Sequence, residues 1–218
     1  MAKHPPHPPR GSTSRDAAQP VVGLRIIGGS MRGRKLAYTG DIRTRPMKDR
    51  VREAVFNLLG HAVEGTHAFD LFAGTGALGL EAVSRGAVRA TFIERHYPTA
   101  KVIEQNIATL EITDRTEVVF GDAFSWSASF SPASSPPLTV FCSPPYDFYV
   151  ERRDAMLGMI AHWVKSAPAS SLIVVEADER LDFADLAPLG EWDVRPYFPA
   201  VVGILVTAAT PATPTSDH

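Results

Sequence analysis

Four positions able to bind or orient a ligand recur at the same kind of place in this sequence, the end of an apolar, strand-like run. Asp70 closes the first run and leads into Gly74-x-Gly76-x-x-Gly79. Glycines at that spacing permit a tight turn and let the backbone approach a ligand at a helix N-terminus. Glu94 ends the next run 18 residues after Gly76, where an acid commonly accepts hydrogen bonds from a ribose; this fits NAD or another adenosine-bearing cofactor. Asp70 tips the choice away from NAD, because an anion beside the glycine turn repels a pyrophosphate but suits an ammonium and a sulfonium. That pairing points to S-adenosylmethionine (AdoMet). Asp122, in Phe120-Gly-Asp-Ala-Phe124, is placed to accept from an exocyclic adenine amine, with Ala123 or Phe124 along the ring edge. The same aspartate also suits a turn or helix N-cap, and both readings stay open.

A fourth run ends in Ser143-Pro144-Pro145-Tyr146. Two prolines fix the backbone, so a carbonyl is held rigidly at the carboxyl edge of a sheet, where an amine nucleophile meets fixed acceptors and Tyr146 can stack on a planar base. Standing alone, Pro-Pro-Tyr is an ordinary tight turn; here it follows Asp70, Glu94 and Asp122 in chain order. The spacing Gly28-x4-Gly33 begins like a phosphate-binding loop, but Arg34-Lys35 stands where Lys-Ser/Thr is required, which rejects that motif. A single cysteine, Cys142, excludes an internal disulfide and a Cys-x-x-Cys site, and the seven histidines show no metal-ligand spacing, so no metal is expected.

These groups need a frame that brings successive strand ends to one edge. From residue 44 a helix is signalled by Pro46 in the first turn, by Val51, Val55, Leu58 and Leu59 at helical spacing, and by Gly60 as a stop. Strands are expected at 67–72, 90–94, 116–120, 138–142, 171–177, 192–198 and 201–208, helices at 77–85, 98–110 and 150–165, and a Ser/Pro loop at 125–137. Strands alternating with helices imply a parallel sheet covered on both faces, and the close-set final pair implies one antiparallel strand. Residues 24–36 read as two short β segments around a glycine-rich turn, a hairpin appendage spanning 21–44. The main domain then runs 45–210, flanked by a disordered Pro-rich arm at 1–20 and a disordered tail at 211–218.

The chain has 218 residues and a net charge of −2, with 44% hydrophobic and 21% charged residues, which excludes global disorder and a fibrous repeat. The balance hides a split, since residues 1–58 hold 12 Lys/Arg against 4 Asp/Glu. A basic segment on a neutral or acidic body suits a face that meets phosphates, and Arg25, Arg32, Arg34, Lys35, Arg45, Lys48, Arg50 and Arg52 are the expected RNA contacts, with Lys48, Arg50 and Arg52 on the outer helix face. The N-terminus has no apolar signal core and no run is long enough to span a membrane, so a cytoplasmic monomer is expected.

Taken together, these motifs resemble class I AdoMet-dependent methyltransferases. The blocks Arg25-Ile-Ile-Gly-Gly-Ser-Met-Arg-Gly-Arg-Lys-Leu36, Arg45-Pro-Met-Lys-Asp-Arg-Val-Arg-Glu-Ala-Val-Phe-Asn57 and Asp70-Leu-Phe-Ala-Gly-Thr-Gly-Ala-Leu-Gly-Leu-Glu-Ala-Val-Ser-Arg-Gly86 are similar to the RsmD family of 16S ribosomal RNA guanine-N2 methyltransferases over residues 24–208. The resemblance implies a Rossmann-like α/β fold, with a seven-stranded mostly parallel sheet and helices on both faces. It implies an AdoMet site of Asp70, Phe72, Gly74, Gly76, Glu94, Asp122 and Ala123, with Asp70 and the glycines at the methionine part, Glu94 at the ribose and Asp122 at the adenine. Ser143, Pro144, Pro145 and Tyr146 would receive a flipped guanine of ribosomal RNA or of an assembling small subunit. The family pattern has Asp where this chain has Ser143, so Ser143→Asp is expected to raise activity. Three alternatives stand beside this reading: a non-catalytic RNA-binding relative, a methyltransferase acting on adenine N6 or a protein amide, and an NAD-dependent oxidoreductase.

Overall fold

The computed structural model describes residues 23–38, 47–131 and 136–208. The expected arm 1–20, tail 211–218 and Arg45 lie outside the described residues. Seven strands form one sheet: β1 His67–Asp70, β2 Arg89–Glu94, β3 Thr116–Phe120, β4 Leu138–Cys142, β5 Leu172–Ala177, β6 Asp193–Tyr197 and β7 Ala200–Val206, in the order β3-β2-β1-β4-β5-β7-β6. β1 to β5 are mutually parallel, and β7 runs antiparallel between β5 and β6. The strand order reverses between β1 and β4, and sheets of this kind bind ligands beyond the carboxyl ends of the strands at such a reversal.

Successive side chains of the central strands enter opposite cores. Ala68, Phe92 and Phe141 pack with the apolar stripes of α1 (Asp49–Leu59), α2 (Ala77–Ser84) and α3 (Tyr97–Leu110). Phe69, Ile93, Val140 and Cys142 face α4 (Ala123–Ser129), α5 (Phe148–Glu151) and α6 (Arg153–Ser166). Gly79 on α2 is required by this packing, since a Cβ there would lie 2.4 Å from the Phe92 ring. Gly76 turns the chain into α2 with φ +74°, a left-handed conformation that favours glycine.

Two expectations are corrected here. The chain at 125–137 does not start as a loop: α4 occupies its first part, because the Asp122 side chain caps it by accepting from Phe124 N and Ser125 N, both at 3.1 Å. Trp126 and Phe130 then stack with Trp163 of α6 and tilt against Phe69, which gives a serine-rich stretch an apolar face. The hairpin at 24–36 is also no standalone appendage. It has a single antiparallel bridge, Arg25 to Lys35, and Leu24, Ile26, Met31 and Leu36 are buried in the main core.

Its anchor is a buried charge network. Glu81 on α2 is fully buried and accepts from Ile27 N and Gly28 N, each at 2.7 Å, and from Arg85 Nε at 2.8 Å. Arg52 is also fully buried; it donates to the Arg25 carbonyl at 2.7 Å and to Asp49 at 3.0 Å, with its Nε 4.0 Å from Glu81. Arg52 is therefore a structural ion and is removed from the expected RNA contacts. The apolar stripe of α1 runs through Val55, Phe56 and Leu59, and Arg52 shares that arc, whereas Leu58 is exposed.

Candidate active site

Beyond the carboxyl ends of β1, β2, β4 and β5 lies a cleft of about 610 Å³. It brings together every predicted cofactor residue except Gly76, which lies behind the wall as the α2 N-cap, and all four residues of the Ser143–Tyr146 turn. Of the expected RNA contacts among the described residues, only Lys48 lines it.

Asp70, the last residue of β1, is 2% exposed. Among the described residues its one hydrogen-bond donor is Gly79 N, at 3.1 Å. Burial without a cationic partner pushes its carboxyl up to about 7, the Gly79 bond pulls it back, and nearby Glu94 adds to the rise. Such a carboxylate gains most from a ligand that brings positive charge. Glu94 ends β2 and braces the glycine turn, accepting from Gly74 N at 2.8 Å and from His96 N at 2.7 Å. Each oxygen keeps a lone pair for a further donor.

Asp122 divides its oxygens: Oδ1 caps α4, and Oδ2 lies 3.7 Å from Arg152. The N-cap reading is thus realised, and the carboxylate still borders the cleft. Phe72 and Phe148 line the cleft as an apolar wall of the kind that flanks a planar ring, and Phe124 packs on both edge-on or tilted within about 6 Å, with the Arg152 guanidinium 3.8 Å from the centre of its ring. Phe148 and Arg152 were not among the predicted residues. At the other end, Pro144 is buried and Tyr146 half-buried, so the turn forms a firm floor.

The basic surface is divided. Arg32, Arg34, Lys35, Lys48 and Arg50 are exposed, but the Arg34 guanidinium donates to the Thr109 carbonyl at 2.6 Å, near the end of α3 remote from the cleft. At 1.5 Å per residue that is about 18 Å along α3 from the Tyr97 end. Arg25 is exposed and 3.9 Å from Asp49. Among the described residues, no group of three His, Cys, Asp or Glu side chains is arranged to hold a metal ion, and no helix is long and apolar enough to cross a membrane.

Residues 24–194 match the family described as "Conserved hypothetical protein 95". The chain belongs to this family, the RsmD family. One curated relative, the ribosomal RNA small subunit methyltransferase D of Haemophilus influenzae, is 34% identical over 158 residues, 72% of this chain and 79% of that protein. The Escherichia coli protein of the same name is 42% identical over 123 residues, 56% of this chain and 60% of that one. Among solved structures, a Thermus thermophilus hypothetical protein superposes with a TM-score of 0.67 at 25% identity, covering 85% of this chain and 100% of the other. An RNA methyltransferase of Salinibacter ruber, solved with S-adenosyl-L-homocysteine, shares the fold with a TM-score of 0.53 at 15% identity, covering 78% and 98%. This member of the RsmD family thus carries the class I methyltransferase fold, in keeping with its sheet order and glycine turn.

Proposed function

We propose that this protein is an AdoMet-dependent methyltransferase acting on the exocyclic N2 amine of a guanine in small-subunit ribosomal RNA. The observation that carries the reading is Asp70, a buried carboxylate without a cation, set beside a glycine turn and facing a cleft that ends in a rigid Pro-Pro-Tyr floor. The fit to AdoMet rests on that charge. Asp70 would pair with the ammonium of the methionine part and Gly74 would admit its backbone, while Gly76 shapes the turn. Glu94 would accept from the ribose hydroxyls. Asp122 and Ala123 would border the adenine, with Phe72 against it. Bound there, AdoMet supplies an electrophilic methyl on a sulfonium.

The chain's own residues then orient the acceptor. The guanine amine lone pair is delocalised into the ring and is a poor nucleophile, so alignment at the Ser143-Pro144 end and stacking on Tyr146 matter, and alignment can be worth ~7–11 kcal/mol. Pro145 keeps the turn rigid. Lys48 at the mouth, with Arg50 and Arg25 on the same side and Arg32, Arg34 and Lys35 farther off, would neutralise RNA phosphates. The RNA methyltransferases among the family relatives support an RNA substrate for this chain.

The test offers labelled AdoMet with unmodified small-subunit particles, naked ribosomal RNA and DNA, followed by nucleoside analysis. N2-methylguanosine from either RNA form is the expected product. Label in adenine or in protein, or none at all, would overturn the assignment.

A further inference from the structure

The ends of β4 and β5 meet at the floor of the cleft. There the Ser143 hydroxyl donates to Glu176 Oε2, and the Tyr146 hydroxyl donates to Oε1 at 2.9 Å. Glu176 is the last residue but one of a strand of otherwise apolar residues, is 7% exposed and lines the cleft. Its main chain is pinned too, since the Tyr149 hydroxyl donates to its carbonyl at 2.9 Å. A hydroxyl that donates its one proton has only lone pairs left to present, so Ser143 is set to accept.

We infer that Glu176 is a positioning and proton-accepting residue of the transfer reaction, acting on the incoming amine through the Ser143 hydroxyl. This rests on the methyltransferase reading above. The two side chains together supply the carboxylate that a lone serine lacks. As the amine lone pair forms the N–C bond, the C–S bond of the sulfonium donor breaks and its electrons return to sulfur, leaving a neutral thioether. The surplus proton on nitrogen passes to Ser143 Oγ while the Ser143 proton passes to Glu176, which ends as a neutral acid and later releases it to water.

The surroundings suit that role. Tyr146 and Tyr149 lie against Glu176 from the turn and α5; Asp70, Glu94 and Tyr197 border the same cleft; and Arg180 is held by Asp147 and Asp178. Among the described residues no Lys or Arg is ion-paired with Glu176. Burial raises its carboxyl above the usual range, and the bonds from Ser143 and Tyr146 draw it partly back. A carboxylate so raised is a better proton acceptor than an ordinary exposed one.

The consequence for residue 143 reverses the expectation from sequence. A carboxylate there would face Glu176 as a like charge, and such a pair shares one proton rather than ionising twice. Ser143→Asp is thus expected to lower activity.

Full-length wild type, Glu176→Gln, Ser143→Ala, Ser143→Asp and Ser143→Asp/Glu176→Gln are assayed with labelled AdoMet and the RNA form that the wild type accepts. AdoMet affinity, melting temperature and the kcat–pH profile are measured alongside, and Glu176 is titrated by carboxyl-carbon NMR in ligand-free protein. Glu176→Gln should lower kcat about 100-fold, flatten the acid limb of the profile and leave AdoMet affinity within about twofold. Ser143→Ala should lower kcat and move the Glu176 titration upward. The double variant should exceed Glu176→Gln at least severalfold. If melting shows Glu176→Gln misfolded, Ser143→Ala carries the test. An active wild type with kcat and profile unchanged in Glu176→Gln, or a titration unmoved by Ser143→Ala, overturns this role alone. A wild type that binds AdoMet and RNA yet transfers no methyl overturns the methyltransferase reading and this role with it.

Discussion

Asp70 and Glu81 stand eleven positions apart around one glycine turn, both buried and both acidic, in opposite circumstances. Glu81 is surrounded by donors: two backbone amides of the hairpin and the Arg85 guanidinium, with Arg52 alongside. Asp70 has one amide and no cation. The first carboxylate is completed by the protein; the second waits for something from outside. The contrast separates a buried charge that holds a fold from one that binds a ligand, although burial alone would class them together.

The sharpest way to break the comparison is to remove each carboxylate and measure stability. Glu81→Ala leaves Arg52 buried beside only Asp49 and frees two hairpin amides, so it should destabilise the protein by about 3–5 kcal/mol in chemical denaturation. Asp70→Asn should do the reverse in the ligand-free protein at pH 8, stabilising it by on the order of 2 kcal/mol, because it deletes a charge whose burial is costly. Loss of stability in Asp70→Asn would place Asp70 in the class of Glu81.

Cofactor binding tests the same contrast at smaller amplitude. Asp70→Asn should weaken AdoMet by about 1.5–3 kcal/mol, the worth of a hydrogen bond to a charged group. Glu94→Ala should cost about 1–3 kcal/mol by calorimetry, since it also strands the amides of Gly74 and His96. The pH dependence has a definite sign. The Asp70 carboxyl sits at about 7 when folded and at 3.8 ordinarily, so the folded chain binds a proton that the unfolded chain releases between these values. Its contribution to stability is present below pH 4 and fades as pH rises to 7. AdoMet affinity should run the other way, rising up to about tenfold from pH 6 to 7.5 in the wild type and staying flat in Asp70→Asn.

The smallest effect concerns the divided basic surface. Charge reversal of Arg32, Arg34 and Lys35 should raise the RNA KM and reduce the salt slope by about 0.7 per lost phosphate contact on single strands. It should spare kcat and AdoMet affinity, because none of the three side chains lines the cleft and Arg34 is tied to Thr109 near the far end of α3. A kcat loss would mean that they reach the cleft.

Strand ends were readable from sequence because each closes an apolar run, and that pattern located Asp70, Glu94, Asp122 and Ser143. Glu176 ends such a run as well, so the same rule could have found it. Glu81 carried no such mark: a glutamate inside a helix is ordinarily solvated, and its partners Ile27 and Gly28 are over fifty residues away in the chain. Arg52 was misplaced for a related reason. Counting Leu58 into the apolar stripe rotates the helix and puts Arg52 outside, whereas Phe56, one turn after Arg52, fixes the true face. α4 was hidden by serines whose apolar neighbours Trp126 and Phe130 find their partners only in the folded sheet.

Cys142, one residue before the turn that would receive the base, is buried, and its thiol is pushed up to about 12 by desolvation, with the neighbouring Tyr149 side chain opposing the rise. A thiol in that state is almost wholly protonated and shielded, so it is inert to alkylating reagents while the sheet stays closed. It becomes reactive only in openings that part β4 from α5 and α6. The native molecule therefore carries its own clock for the integrity of the site: the alkylation rate of a single sulfur, compared with that of the unfolded chain, reads the fraction of time the floor spends open.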